Sequence, residues 1–242
     1  GSHSKNSMSL EMAKKALDFY KSHSIDSDMA SISFYGGEPL LEFVRIKEIV
    51  SYAEEIFDGK EILFGITTNA TLLNEEVIDF LIEHNFNITI SIDGPKEVQN
   101  KNRKFKNGQG SFDIVLSNVS MIFNKNPALM KSITISMVID PNQDYSEIVT
   151  LFNLPEFKDV SLTYTMVEKD AEQLFPSRDY LIKYHYDLFL AYMEYFRNDG
   201  KEYPSKLVER DMEAFKSGIR RFKTNMLSSV DAPGGPCVPG KV

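Results

Sequence analysis

Alternation between two periodicities constrains this chain more than any other feature. Short β-branched runs at 30–35, 62–67, 86–92, 132–139 and 160–165 are separated by helical patterns. Ser9 heads the first helix, where Met12, Ala13, Ala16, Leu17 and Tyr20 recur at helical spacing. Val44, Ile46, Ile49, Val50, Ala53 and Ile56 form the buried side of the next helix. Asn74 caps a third that carries Val77, Ile78, Leu81 and Ile82, and Ser111 caps a fourth through Ile114, Val115, Val119 and Ile122. The intervening segment 96–110 reads as a long polar loop, and 145–152 as a short helix. Five strands alternating with helices predict an α/β fold on a parallel sheet, covered by helices on one face and filled on the other. A barrel-like (β/α) arrangement and a doubly wound open sheet both satisfy the pattern. Beyond residue 165 the strand signal stops, and two longer helical patterns follow at Arg178–Arg197 and 205–222.

Composition narrows the function classes. With 42% hydrophobic residues the chain can bury a sizeable core. A net charge of −8 gives no broad field for nucleic acid. No apolar run approaches the roughly 18 residues a membrane helix needs, so we expect no membrane association and a cytoplasmic protein. Gly1-Ser2-His3 reads as a cloning scar. The single cysteine, Cys237, cannot form an internal disulfide or hold an iron–sulfur cluster alone, which takes about four thiolates. His23, His84 and His185 lie in or beside helical segments without a paired nucleophile or metal spacing.

Sites in α/β folds lie at the carboxyl ends of strands. Here those ends carry Gly36-Gly37-Glu38-Pro39, Thr68-Asn69 and Ser91-Ile92-Asp93-Gly94-Pro95. Paired glycines let a ligand approach bare backbone. Their carbonyls and the Glu38 carboxylate are acceptors suited to a cationic donor such as an ammonium. The same four letters also describe a plain strand-to-helix turn, with Pro39 presetting the helix and Glu38 near its dipole. No Gly-x-Gly-x-x-Gly follows the first strand, which disfavours a nicotinamide oxidoreductase.

Four ordered segments carry a family resemblance. Residues 31–41 (SISFYGGEPLL), 66–73 (ITTNATLL), 90–96 (ISIDGPK) and 103–113 (RKFKNGQGSFD) resemble consecutive motifs of radical S-adenosylmethionine (SAM) enzymes. The resemblance covers about 9–170 and is nearest to peptide-modifying members with a SPASM or twitch extension. It implies a partial (β/α)6 TIM-like barrel with extra C-terminal helices. It implies that Gly36, Gly37 and Glu38, with Pro39 behind them, hold the methionyl ammonium. It further implies that Thr68 and Asn69 lie near the cofactor, that Ser91 contacts the ribose or carboxylate region, and that Arg103 pairs with the carboxylate. Asp93 is implied to shape the turn and Val138 to line the adenine pocket. Bland readings stand beside these: Asp93 as a turn former, Val138 as core, Arg103 as a solvated residue.

The departure from the family pattern is as informative. Radical SAM enzymes carry a C-x3-C-x2-C loop whose thiolates hold a [4Fe-4S] cluster, and this sequence has none. Both ends therefore read as truncated: 1–8 as scar and stub, 9–225 as a core lacking first strand and cluster loop, and 226–242 as a linker into an extension. In that extension Cys237 would be the first metal ligand. The resemblance implies SAM and, in an intact parent, [4Fe-4S] clusters, with a precursor peptide as substrate and ferredoxin or flavodoxin as electron donor. The implied reaction is a 5′-deoxyadenosyl radical installing thioether crosslinks in a Cys-containing peptide. Oxidation of Cys or Ser to formylglycine, as in anaerobic sulfatase maturation, is the neighbouring alternative. A third reading is a peptide-binding domain without catalysis, using a stripe that includes Tyr184, Tyr186, Phe189, Tyr192, Met193 and Phe196.

Overall fold

A computed structural model describes residues 7–139, 147–148, 150–166, 178–200 and 205–221. The order is α1 (Leu10–His23), β1 (Met29–Phe34), α2 (Phe43–Ile56), β2 (Glu61–Thr68), α3 (Glu75–Glu83), β3 (Asn87–Ser91), α4 (Lys96–Asn102) and α5 (Phe112–Lys125). It continues with β4 (Ile133–Ile139), β5 (Ser161–Met166), α6 (Arg178–Arg197) and α7 (Lys206–Arg221). All five strands are parallel and lie in the order β1-β2-β3-β4-β5. That order decides between the two candidate architectures. A doubly wound sheet reverses direction at a switch point; this sheet never reverses, and it is consistent with part of a TIM-like barrel.

Strand alternation divides the sheet into two chemically different faces. Phe64, Ile66, Ile88, Ile90, Ile133, Ile135 and Met137 are buried in one core with Leu17 of α1, Ile46 and Val50 of α2, Leu81 of α3 and Val119 of α5. The opposite face carries small hydroxyls in register. Thr67 sits beside Thr89, Thr89 beside Thr134, Ser91 beside Ser136, and Ser136 beside Thr163. These side chains are half-buried, so among the described residues this face is not filled as the sequence pattern suggested. The Ile-Thr-Ile-Ser pattern is therefore a one-sided strand, apolar toward the helices and polar on the other side.

Three local expectations are corrected. The segment expected as loop contains α4, seven residues begun by Pro95 in an extended conformation. Ser111 stands at the start of α5 but makes no side-chain cap; Asn100 Oδ1 accepts the Phe112 N–H instead, at 3.0 Å. Within the expected helix 145–152, only 147–148 are described as helical, and Thr150–Asn153 forms a 3-10 turn. Ser9 and Asn74 cap α1 and α3 as the sequence suggests, accepting from the Met12 and Val77 N–H groups.

Candidate functional site

Parallel pairing places every strand's carboxyl end on one edge of the sheet. Two polar assemblies form there. The first joins the ends of β1 and β2. Glu38 precedes a 3-10 turn, Pro39–Glu42, and its Oε1 accepts from the Leu40 N–H at 3.1 Å, satisfying a free helix-start donor. The same oxygen accepts from the Thr68 hydroxyl at 2.7 Å, while Oε2 accepts from the Asn69 N–H at 2.8 Å. Glu38 is thus a clasp between neighbouring strand ends. An ionised carboxylate offers about four acceptor sites, so room for one further donor remains.

The β2 end is held in an uncommon backbone conformation. Ala70 has φ of 61° and is fully buried. Its N–H donates to Thr68 Oγ1 at 3.0 Å, and its carbonyl accepts from Asn118 Nδ2 of α5 at 2.8 Å. Asn69 Oδ1 accepts from both the N–H and the hydroxyl of Thr71, at 2.9 and 2.7 Å. A left-handed alanine persists only where its surroundings over-determine it, and such positions gather at ligand-binding turns. Gly36 and Gly37, by contrast, are exposed, and a side chain at either would meet nothing within 4 Å.

The second assembly joins β3, β4 and the segment after α4. Asp93 is 3% exposed and both oxygens of its carboxylate accept hydrogen bonds. Arg103 grips it with both prongs, Nε to Oδ2 and Nη2 to Oδ1, each at 2.9 Å. The backbone N–H of Val138 adds a third bond to Oδ1 at 3.2 Å. The turn favours Gly94, whose φ of 150° strains other residues and whose added Cβ would press on the Val98 side chain at 3.0 Å. Ser91 lies half-buried on the hydroxyl face beside Ser136, and the Val138 side chain is 37% exposed.

The structure therefore brings Glu38, Thr68 and Asn69 together, and Asp93, Arg103 and Val138 together, on one edge. Gly36, Gly37, Pro39 and Ser91 lie along the same edge. Cys237 lies outside the described residues. Sequence reading missed Gln99 and the true part played by Ser111. Gln99 is 1% exposed, and its Oε1 accepts the Asp93 N–H at 2.8 Å. A polar residue in a segment taken for a loop gave no signal of burial.

A family model described as the radical SAM superfamily matches residues 2–154, more than half of the chain. The chain belongs to the radical SAM superfamily. Among its relatives, an uncharacterized protein of Methanocaldococcus jannaschii is 38% identical over 104 residues, 43% of this chain and 35% of that protein. The cysteine-type anaerobic sulfatase-maturating enzyme of Clostridium novyi is 32% identical over 38% of this chain and 25% of its own length. The serine-type anaerobic sulfatase-maturating enzyme of Bacteroides thetaiotaomicron is 27% identical over 72% of this chain and 41% of its own. The chain thus spans less than half the length of these relatives. The solved structure of native anSMEcpe with bound AdoMet superimposes with a TM-score of 0.67 at 24% identity, over 82% of this chain and 55% of that one, a likeness of fold.

The radical SAM family implies two cofactors, and the residues present fit them unequally. SAM ends in an ammonium and a carboxylate. The open backbone at Gly36 and Gly37, the remaining acceptor site of Glu38 and the unspent donors of Arg103 match that pair of charges. A [4Fe-4S] cluster is not matched. The sequence supplies one thiol, and the described residues contain no group of three or more His, Cys, Asp or Glu able to hold a metal. Among the described residues no helix is long and apolar enough to cross a membrane.

Proposed function

We propose that this chain is the SAM-orienting part of a radical SAM enzyme that modifies a peptide. The observation that carries the reading is the pair of opposed anchors on one sheet edge, an open acceptor turn at Gly36-Gly37 and an arginine fork at Arg103. The ammonium would sit against the Gly36 and Gly37 carbonyls and Glu38, and the carboxylate against Arg103. Thr68 and Asn69 hold the acceptor turn in place, Ser91 presents a hydroxyl toward the ribose, and Val138 offers apolar surface to the adenine. Bound SAM supplies the 5′-deoxyadenosyl group of the family's radical chemistry. The chain's own part is to orient it.

Two peptide modifications fit this reading: thioether formation in a Cys-containing precursor, and oxidation of Cys or Ser to formylglycine. Relatives described as anaerobic sulfatase-maturating enzymes support the second, and the solved anSMEcpe structure with AdoMet and the Kp18Cys peptide records a peptide bound to a similar fold. Reduction would draw on an electron donor such as ferredoxin or flavodoxin, and the thiolates for a cluster, beyond Cys237, would come from outside this sequence.

Calorimetric titration with S-adenosylhomocysteine tests the reading. The chain should bind it, and Gly37→Val should abolish binding while leaving the thermal midpoint unchanged, because the new side chain enters open space. Absence of binding, or equal binding by the variant, overturns the assignment. Iron and sulfide analysis after anaerobic reconstitution should give no stoichiometric cluster on this chain.

A second reading, peptide docking without catalysis, is favoured by α6. Ile182, Tyr186, Phe189, Leu190, Met193 and Phe196 recur at helical spacing and are exposed. If that face docks peptide, Phe189→Asp removes peptide binding and spares S-adenosylhomocysteine.

A further inference from the structure

Arg103 is not a free guanidinium waiting for a ligand. It is built into a closed polar circuit. Its Nε and Nη2 bind Asp93. Its backbone N–H donates to the Gln99 carbonyl at 2.8 Å. Its backbone carbonyl accepts from the Ser111 hydroxyl at 2.9 Å and from the Ser111 N–H at 3.3 Å. Gln99 closes the loop: Nε2 donates to Ser111 Oγ at 3.2 Å and Oε1 accepts from the Asp93 N–H. Asp93, Gln99 and Ser111 are 3%, 1% and 6% exposed, whereas the Arg103 side chain is 31% exposed. The frame is buried and its cation reaches the surface.

Fixing a guanidinium by two of its five donors leaves Nη1 and one Nη2 hydrogen directed away from Asp93. Without the frame, Arg103 would lose rotamer freedom on binding each ligand, and that loss weakens affinity. With it, the fork is already oriented. The Val138 N–H bond to Asp93 ties the same frame to β4, and the side-chain oxygen kept in Asp93→Asn can still accept it.

We infer that Asp93, Gln99 and Ser111 are positioning residues, which preset Arg103 as a receptor for the carboxylate of an amino-acid-bearing nucleoside. The inference rests on the SAM reading above. Asp93 itself touches no ligand in this scheme; it acts through Arg103. Gln99 locks Asp93, and Ser111 anchors both Gln99 and the Arg103 backbone.

The test compares two probes by calorimetry: S-adenosylhomocysteine, which carries the carboxylate, and 5′-methylthioadenosine, which lacks the amino-acid end. Arg103→Lys and Asp93→Asn should each weaken S-adenosylhomocysteine about tenfold, the scale of one misaligned charge-assisted hydrogen bond. Binding of 5′-methylthioadenosine should stay within about twofold in both variants. The double variant should be no worse than Arg103→Lys alone, because both changes act through one contact. Ser111→Ala removes only the far tether and should weaken S-adenosylhomocysteine selectively by a smaller factor. Equal weakening of both probes by Asp93→Asn, or no weakening of either, overturns the inference. If Asp93→Asn does not fold, wild-type affinity for S-adenosylhomocysteine in Ser111→Ala overturns it instead. Failure of the wild-type chain to bind either probe overturns the SAM reading itself, a result separate from any variant's.

Discussion

At the residue scale, Glu38 shows how one carboxylate can serve packing and binding together. Its three bonds to Leu40, Thr68 and Asn69 fasten the end of β1 to the end of β2. Glu38→Gln keeps the size but sets an amide NH2 against a donor, and should cost about 1–3 kcal/mol. Urea denaturation checks this, and Thr68→Val, which removes one of the same bonds and also the acceptor of the buried Ala70 N–H, should cost a similar amount. The Gly-Gly-Glu-Pro run was legible as a strand-to-helix turn because glycine frees the backbone and proline fixes it. The clasp to Thr68 was not legible, since nothing in a sequence tells which oxygen a neighbouring strand end will present. Arg103 and Asp93 were both singled out, but as separate parts. Their pairing spans two elements, and it appears only once α4 folds the chain back over the β3 end.

Elements were legible where side-chain period and caps agreed. Strands with Ile-Thr-Ile patterns and helices headed by Ser9 and Asn74 stand where the sequence puts them. The segment at 96–110 misled because α4 is short and polar, with Val98 and Gln99 its only buried residues. Its Asn100 supplies the cap of α5, and Gly110 makes room for it: a side chain at Gly110 would lie 2.1 Å from the Asn100 amide. Gly110→Ala should displace Asn100 from the Phe112 N–H and cost about 1–2 kcal/mol, the value of a lost cap. Chemical denaturation measures it, and Asn100→Ala should give a similar loss.

Elsewhere α2 is tied to α1 by Tyr52, whose hydroxyl donates to Asp18 at 2.7 Å. That hydrogen bond, with the charges of Asp18 and Glu55, pushes the phenol above its ordinary 10.0. A raised value means that the fold favours the neutral phenol. The contribution is therefore present below the unfolded value and lost as pH climbs through the raised one. Burial raises Tyr192 as well, so phenolate absorbance of the folded chain should show tyrosines titrating late, and Tyr52→Phe should remove only its share of that late component.

At the scale of the whole molecule, one core serves all five strands. Phe86 is buried within it, 1% exposed and 5.3 Å from Phe64, 5.9 Å from Phe80 and 6.0 Å from Phe34 between ring centroids. Phe86→Ala should cost about 3–5 kcal/mol and lower the thermal midpoint of the sheet and of both polar assemblies together. Loss of S-adenosylhomocysteine binding should follow the same melting curve.

The unbroken strand order has a further consequence, for how the chain reaches this state. Each strand's parallel neighbour is always the next one to be synthesised. A nascent chain can therefore add β2 to β1, then β3 to β2, without waiting for a distant segment to leave the ribosome. A sheet that folds back through its middle has no such freedom. Growth by addition at one margin also means that each new βα unit finds a finished edge to template it. The last edge to be covered during synthesis then carries the exposure to misassembly.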